Sequence, residues 1–234
     1  MDKRNKIYEG KAKILYTTDN PDLLIQYFKD DATAFNAKKK GEIQQKGIMN
    51  NKISSKIFEF LQSQGIPTHY EKRLNDREML IKKVEIVPVE VIIRNRAAGS
   101  LCRLMGVPEG TELAEPILEY SFKKDELGDP LIGEYHIYAL RLANHEEVEQ
   151  IKDYAFRINA LMSQFFAKLG LELIDFKIEF GRCKGKIILA DEISPDTCRL
   201  WEIGTGTKMD KDRFRHDMGN IEEAYQEVLM RVSK

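Results

Sequence analysis

The chain has 234 residues, 37 of them basic and 38 acidic. That length supports a substantial core without disulfides or a structural metal. The nearly cancelling charge excludes a global field that would draw the protein to nucleic acid or to an anionic membrane. Three scattered cysteines, Cys102, Cys183 and Cys198, have no C-x-x-C spacing, and the four histidines form no H-E-x-x-H. Both facts argue against a disulfide framework and a zinc site. No apolar run approaches the ~20 residues of a membrane span, and Met1-Asp2-Lys3-Arg4-Asn5-Lys6 does not read as a signal peptide. A reduced, cytoplasmic protein is expected.

In chain order, residues 6–17 alternate around Gly10 and read as strand, and residues 23–28 read as strand after the turn Asn20-Pro21-Asp22. Ile48, Ile53, Ile57, Phe60 and Leu61 then mark one face of a helix that Gly65 and Pro67 stop. Residues 80–84 and 87–95 are again β-rich, with Pro88 demoting the start of the second run to an edge or a connection. This order predicts a small β-rich antiparallel lobe over residues 1–85 and a larger mixed lobe over 86–234. In the second part a short helix over 101–105 is closed by Gly106, with Ser100 as its cap. Asn144 and Glu147 form a capping box for a long amphipathic helix running from Val148 to Leu169 and ended by Gly170. A last helical region covers 210–232 and breaks at Gly219-Asn220. Strands and helices are partly segregated, so the predicted class is α+β rather than doubly wound α/β.

The stretch Asp175-Phe176-Lys177-Ile178-Glu179-Phe180 carries most of the chemistry. With period two, Asp175, Lys177 and Glu179 share one strand face, and Phe176, Ile178 and Phe180 the other. Three charges on one inner face are expensive unless something there requires them. The polar turn 181–186 folds Ile187-Ile188-Leu189-Ala190-Asp191 back as a hairpin partner. A loop of odd length centred on Gly185 sets Glu179 across from Asp191, with Cβ atoms roughly 4.5–5.5 Å apart. Two carboxylates so close need a proton or a cation between them. A divalent metal is one reading, and a solvent-facing polar ladder is the other.

Three further groups have two readings each. Lys11 and Lys13, beside Gly10, suit a strand that covers a triphosphate, or a solvated edge guarded by lysines. Arg94-Asn95-Arg96-Ala97-Ala98-Gly99-Ser100 joins a buried strand to a helix, as a phosphate-monoester site does, or as a tightly packed junction with surface arginines does. Asp196 and Arg199 leave the hairpin on a loop broken by Pro195, where catalytic groups commonly sit; a turn aspartate and a structural ion pair are the alternatives. The runs 123–126 and 208–215 read as solvated charge, with Arg215 one helical turn after Lys211.

These segments together resemble the SAICAR synthetase family of purine biosynthesis. The matching stretches are YEGKAK (8–13), KGIMNNKIS (46–54), PVEVIIRNRAAGSL (88–101), GDPL (128–131), IDFKIEFG (174–181), LADEISPDTCRLW (189–201) and KMDKDRFR (208–215). They follow the family order across nearly the whole chain. The resemblance implies a two-lobed ATP-grasp- or kinase-like architecture with antiparallel sheets and flanking helices. It implies an ATP- and Mg2+-dependent ligase that joins L-aspartate to the carboxylate of carboxyaminoimidazole ribonucleotide (CAIR), giving SAICAR, ADP and phosphate, and a homodimer.

Carried over by residue, the resemblance implies that Lys11, Ala12 and Lys13 contact ATP phosphates and that Lys82 meets the adenine edge. Glu179 and Asp191 become the metal ligands. Arg94, Ser100 and Arg199 hold the ribonucleotide phosphate, while Asp175, Lys177, Asp196 and Arg215 position the reacting carboxylate or the aspartate, with Asp196 as a possible base. Two places depart from the family pattern. The segment Glu202-Ile203-Gly204-Thr205-Gly206-Thr207 replaces a more acidic, lysine-containing loop, and Asn36 stands where some members carry aspartate. A protein kinase is the nearest rival class, but H-R-D-x-x-x-x-N and D-F-G are missing. An RNA-binding module is disfavoured by the neutral charge and by the lack of an aromatic platform.

Overall fold

Alternating apolar residues in the first third form strands that bury one side against a helix. The computed structural model describes residues 2–34 and 39–234, so Asn36 lies outside the described residues. Strands β1 (Lys6–Glu9), β2 (Lys13–Thr17) and β3 (Leu23–Phe28) form a meander, followed by a separate ribbon of β4 (Asp31–Ala34) and β5 (Lys39–Glu42). Helix α1 (Lys46–Ser63) comes next, then β6 (Tyr70–Arg73) and β7 (Glu78–Lys82). The first sheet is antiparallel, with order β1-β2-β3-β7-β6. Its outer strand β1 is exposed along its whole length and bears Lys6 and Glu9, charges that discourage pairing with another chain. Ile53, Ile57 and Leu61 of α1 are fully buried, and Gly65 ends the helix region with a φ of 80°.

The second sheet contains β8 (Glu85–Arg96), β9 (Glu112–Phe122), β10 (Leu131–Ile132), β11 (Leu171–Cys183), β12 (Lys186–Ala190) and β13 (Cys198–Glu202). Its order is β10-β9-β8-β11-β12, all antiparallel, and β13 shares the outer edge of β11 with β12. Between the strands lie α2 (Ser100–Met105), α3 (Glu134–Ala139) and α4 (His145–Lys168), and α5 (Asp212–Arg215) and α6 (Ile221–Val232) complete the chain. The capping box of α4 forms as expected, Asn144 Oδ1 accepting from Glu147 N and Glu147 Oε2 from Asn144 N, each at 2.9 Å. Its buried face, Val148, Ile151, Ala155, Ile158, Met162 and Phe166, joins Phe176, Ile178 and Phe180 in the core.

Three sequence expectations are corrected here. Pro88 lies inside β8, a central strand, rather than at an edge or in a connection. It is accommodated because the β8–β11 register shifts between Glu179↔Glu90 and Gly181↔Ile86, so the missing N–H falls in a pairing irregularity. Ser100 does not cap α2. The N-cap position is Gly99, with φ 57°, and Ser100 Oγ instead accepts from Arg94 at 2.8 Å. The β11–β12 loop has two residues, Lys184 and Gly185, with φ of 50° and 77°. Two left-handed residues make the tight hairpin turn whose twist suits antiparallel strands, and the even loop sets Glu179 opposite Ala190, one residue short of Asp191.

The start of α1 is tied down at Asp30. Its carboxylate accepts from Gly47 N at 2.8 Å and from two nitrogens of Arg77 at 2.7 and 2.8 Å. A Cβ at Gly47 would sit 2.4 Å from the Phe28 carbonyl oxygen. Gly47→Ala is therefore expected to destabilise by about 1–3 kcal/mol through overpacking, although alanine is the better helix former by about 1 kcal/mol. A urea midpoint lowered at constant m-value checks this; a raised midpoint contradicts it.

Candidate active site

The polar face of β11 and its neighbours assembles the site. Cross-strand register brings Asp175 beside Arg94, Lys177 beside Ile92, and Glu179 beside Glu90 on β8, while Asp175 also faces Arg199 on β13. The opposite face of the strand is core. Lys177 Nζ lies 2.7 Å from Glu179, 3.1 Å from Asp191 and 3.3 Å from Glu90. Lys123 Nζ donates to Glu179 at 2.7 Å. Lys13 pairs with Asp191 and lies 3.3 Å from Glu192. Burial pushes the Glu179 carboxyl upward, but Lys177, Lys123 and Lys13 outweigh it and hold the group down at about 2.

Asp191 reaches this cluster by leaving the strand. Its φ of 65° is left-handed, a conformation that aspartate tolerates better than most residues. The two acidic side chains thus meet through the Lys177 ammonium rather than as a directly opposed pair. Their hard oxygen atoms already flank a cation, and such a donor set fits magnesium, which takes few protein carboxylates alongside phosphate oxygens and water. Among the described residues no group of three or more His, Cys, Asp or Glu side chains forms a ready metal cage.

A second cluster centres on Asp175. Its Oδ2 accepts from Arg94 at 2.8 Å and from Arg199 at 2.7 Å. Arg94 is almost fully buried and also binds Glu119 and Ser100. Arg199 continues to Asp212 at 2.8 Å, and Asp212 accepts from Arg215 at 2.5 Å. Burial raises the Asp212 carboxyl, yet Arg199 and Arg215 bring it down to about 2. Behind it, burial and the Asp212 charge push Asp210 up to about 7.

Asp196 forms a third, deeper cluster. It accepts from Lys46 at 2.5 Å and from the Tyr225 hydroxyl at 2.6 Å, with Lys211 at 3.9 Å. Burial works against its charge, but Lys211 and Lys46 prevail and keep the carboxyl well below its usual range. A carboxylate held so low is a weak base, so the arrangement suits orientation of neighbours better than proton removal. The loop carrying it is fastened to β11 at several points. Lys177 N donates to Thr197 O at 2.8 Å, β12 pairs with the strand before the loop, and β13 pairs with it after.

Two adjoining cavities gather the residues that the resemblance carries over to the nucleotide, metal and ribonucleotide sites. The larger, about 480 Å³, is lined by Lys11, Ala12, Lys13, Lys82, Glu179 and Asp191. The smaller, about 260 Å³, is lined by Arg94, Ser100, Asp175, Arg199 and Arg215. Glu90, Lys177, Asp196 and Thr197 line both. Lys11 also pairs with Asp125, and Lys82 with Glu71. Sequence reasoning missed Lys123, set aside within a solvated charge run, and Lys46, Glu90, Glu192, Asp212 and Tyr225. Period-two alternation along Glu90, Ile92 and Arg94 carried a signal for Glu90; Lys46 and Asp196 lie 150 residues apart, and no local pattern connects them.

Two adjoining cavities on an antiparallel sheet, one rich in lysine and one in arginine, with buried carboxylates between them, have the make-up of an enzyme active site. The family model for SAICAR synthetase matches residues 6–232. Phosphoribosylaminoimidazole-succinocarboxamide synthase of Caldanaerobacter subterraneus subsp. tengcongensis is 57% identical over the full length of both chains. The crystal structure of the synthase from Ehrlichia chaffeensis aligns with a TM-score of 0.97 at 47% identity, covering 98% of each chain. A SAICAR synthetase in complex with ADP aligns at 0.94 and 44% identity, covering 97% of each. The chain belongs to the SAICAR synthetase family, the ATP-using ligases of purine biosynthesis. Among the described residues no helix is long and apolar enough to cross a membrane.

The charge cluster has a consequence for acid stability. Because the folded Glu179 pKa of about 2 lies below its ordinary 4.5, its contribution is complete above pH 4.5 and is lost as pH falls toward 2. In metal-free buffer, the wild-type protein should lose more urea stability across that window than Glu179→Gln. Parallel acid limbs for the two proteins would refute the assignment.

Proposed function

We propose that this chain joins L-aspartate to the carboxylate of CAIR, consuming ATP and yielding SAICAR, ADP and phosphate. The observation that carries the reading is the wall common to the two cavities, where Lys177 and Asp196 border both the lysine-rich and the arginine-rich spaces. Phosphoryl transfer between two bound anions requires such a junction. In this reading residues 1–85 form a nucleotide-covering lobe and residues 86–234 carry the metal and ribonucleotide sites, in an ATP-grasp- or kinase-like arrangement. The family resemblance supports a cytoplasmic homodimer.

A free carboxylate is a poor electrophile, so amide formation needs an activated acyl group. One oxygen of the CAIR carboxylate bonds to the γ-phosphorus of ATP while the bond from that phosphorus to the ADP oxygen breaks. The aspartate amine then bonds to the acyl carbon, phosphate departs with the former carboxylate oxygen, and the nitrogen loses a proton. The protein's task in the first step is alignment and charge neutralisation.

Lys11 and Lys13 approach the triphosphate, Lys82 meets the adenine edge, and Lys177 with Lys123 offsets charge at the junction. Glu179 and Asp191 would hold Mg2+, which when bound neutralises phosphate oxygens. Arg199 and Arg215, more accessible than Arg94, grip the ribonucleotide phosphate, with Arg94 and Ser100 backing them. Asp175 fixes both Arg94 and Arg199, and anchoring the remote phosphate restricts the reacting carboxylate. Asp196 orients Lys211 at the junction.

Starting from CAIR labelled with ¹⁸O in its carboxylate, the released phosphate should carry label, and ADP release should require both CAIR and aspartate. Unlabelled phosphate excludes carboxylate phosphorylation. Asp191→Asn should lower kcat by about a hundredfold or more while thermal midpoint and CAIR affinity stay near wild type. Near-normal turnover at saturating Mg2+ would sink the metal role of Asp191.

A further inference from the structure

Six lysines line the larger cavity, and five of them are already engaged. Lys11, Lys13, Lys82, Lys123 and Lys177 each have a carboxylate within 3.3 Å. Lys211 differs. Among the described residues its ammonium has one ion pair, to Asp196, and that pair is 3.9 Å long. Burial holds its pKa below the ordinary lysine value, and Asp196 offsets this only in part. Lys211 is therefore the cavity lysine with most to gain from an incoming anion.

What keeps it available lies behind the cavity wall. Asp196 Oδ2 accepts from Lys46 at 2.5 Å, and Oδ1 from the Tyr225 hydroxyl at 2.6 Å. Lys46 opens α1 and Tyr225 belongs to α6; both are fully buried, and neither lines either cavity. The two helices pack on each other, so both donors reach Asp196 from one helix pair. Lys211 N donates to Pro195 O at 3.1 Å, so the Lys211 side chain starts beside Asp196 and is long enough to close onto it. The Lys46 ammonium opposes that closure, because it neutralises the carboxylate and repels a second cation. Together the three groups leave one positive charge, and it stands at the cavity wall.

We infer that Lys46 and Tyr225 are positioning residues for the ligase: by taking up the two oxygens of Asp196, they leave the Lys211 ammonium to an anionic substrate oxygen at the junction. The inference rests on the reading of the two cavities as the ATP and CAIR sites. The oxygen belongs to a phosphate or a carboxylate, and the substrate whose KM responds identifies it.

KM values for ATP, CAIR and aspartate test it, since KM does not depend on how much of a preparation is folded. Lys211→Met should raise KM for the substrate it meets about tenfold or more, the loss of one charge-assisted hydrogen bond. Lys46→Met should raise the same KM by a similar factor, because Lys211 then closes onto Asp196. Tyr225→Phe, which loosens one carboxylate oxygen, should raise it about threefold. Combined with Lys211→Met, either change should add less than about twofold, as expected of residues that act through one another. A merely structural role would instead multiply with the loss of Lys211, and that result overturns the inference. So do unchanged KM values in Lys211→Met. In Tyr225→Phe the carboxylate keeps its buried cation, so this arm decides the matter even where Lys46→Met fails to fold. A wild-type enzyme that ligates nothing with all three substrates present would overturn the proposed reaction, and the inference with it.

Discussion

Three carboxylates, from Glu90, Glu179 and Asp191, converge within 3.3 Å of the Lys177 ammonium. Two like charges 4 Å apart repel by about 4 kcal/mol at an effective dielectric near 20, a large part of the ~5–15 kcal/mol that holds a domain folded. The cation therefore does more than decorate the strand: it permits acidic groups to be buried side by side. Lys123 and Lys13 extend the same compensation outward. In a cluster built this way the lysines Lys13, Lys123 and Lys177 are interleaved with Glu90, Glu179, Asp191 and Glu192, so neither sign of charge is left in excess on one side.

Strand β11 makes this possible because its two faces face different problems. Phe176, Ile178 and Phe180 lock it against α4 and the rest of the core. With that side immobilised, the polar side chains are presented at fixed spacing, Asp175 to the arginine cluster and Lys177 with Glu179 to the lysine cluster. Register with β8 and β13 then supplies partners from residues distant in sequence, Arg94 on one side of Asp175 and Arg199 on the other. A rigid apolar layer beneath a polar layer converts a linear alternation into a two-dimensional array of charges.

That alternation is the part of the site that could be read from sequence, and so were α1, α4 with its capping box, and β3. What escaped depended on conformations the residue names do not announce. Lysine is not a typical left-handed residue, so the turn Lys184-Gly185 was not evident and the expected register fell one residue off. Asp191 nevertheless arrives at the cluster through its own left-handed backbone. Lys46 opens a helix, and nothing local announces that α1 sets it against Asp196, the carboxylate that the Tyr225 hydroxyl also binds. Lys123 belongs to a charge run, yet one member of that run turns inward to Glu179. Ser100 has the right identity for a helix cap, but the guanidinium of Arg94 takes its hydroxyl instead.

The loop from Asp191 to Thr197 is held by one strand at both ends, through β12 before it and through β13 and the Lys177–Thr197 hydrogen bond at its close. Such a segment has no hinge of its own, because swinging it outward would unzip β11 from two partners at once. Its amide protons should exchange with solvent on the timescale of the sheet rather than that of a surface loop. The groups at the junction of the two cavities thus behave as a fixed bench on which bound molecules are aligned.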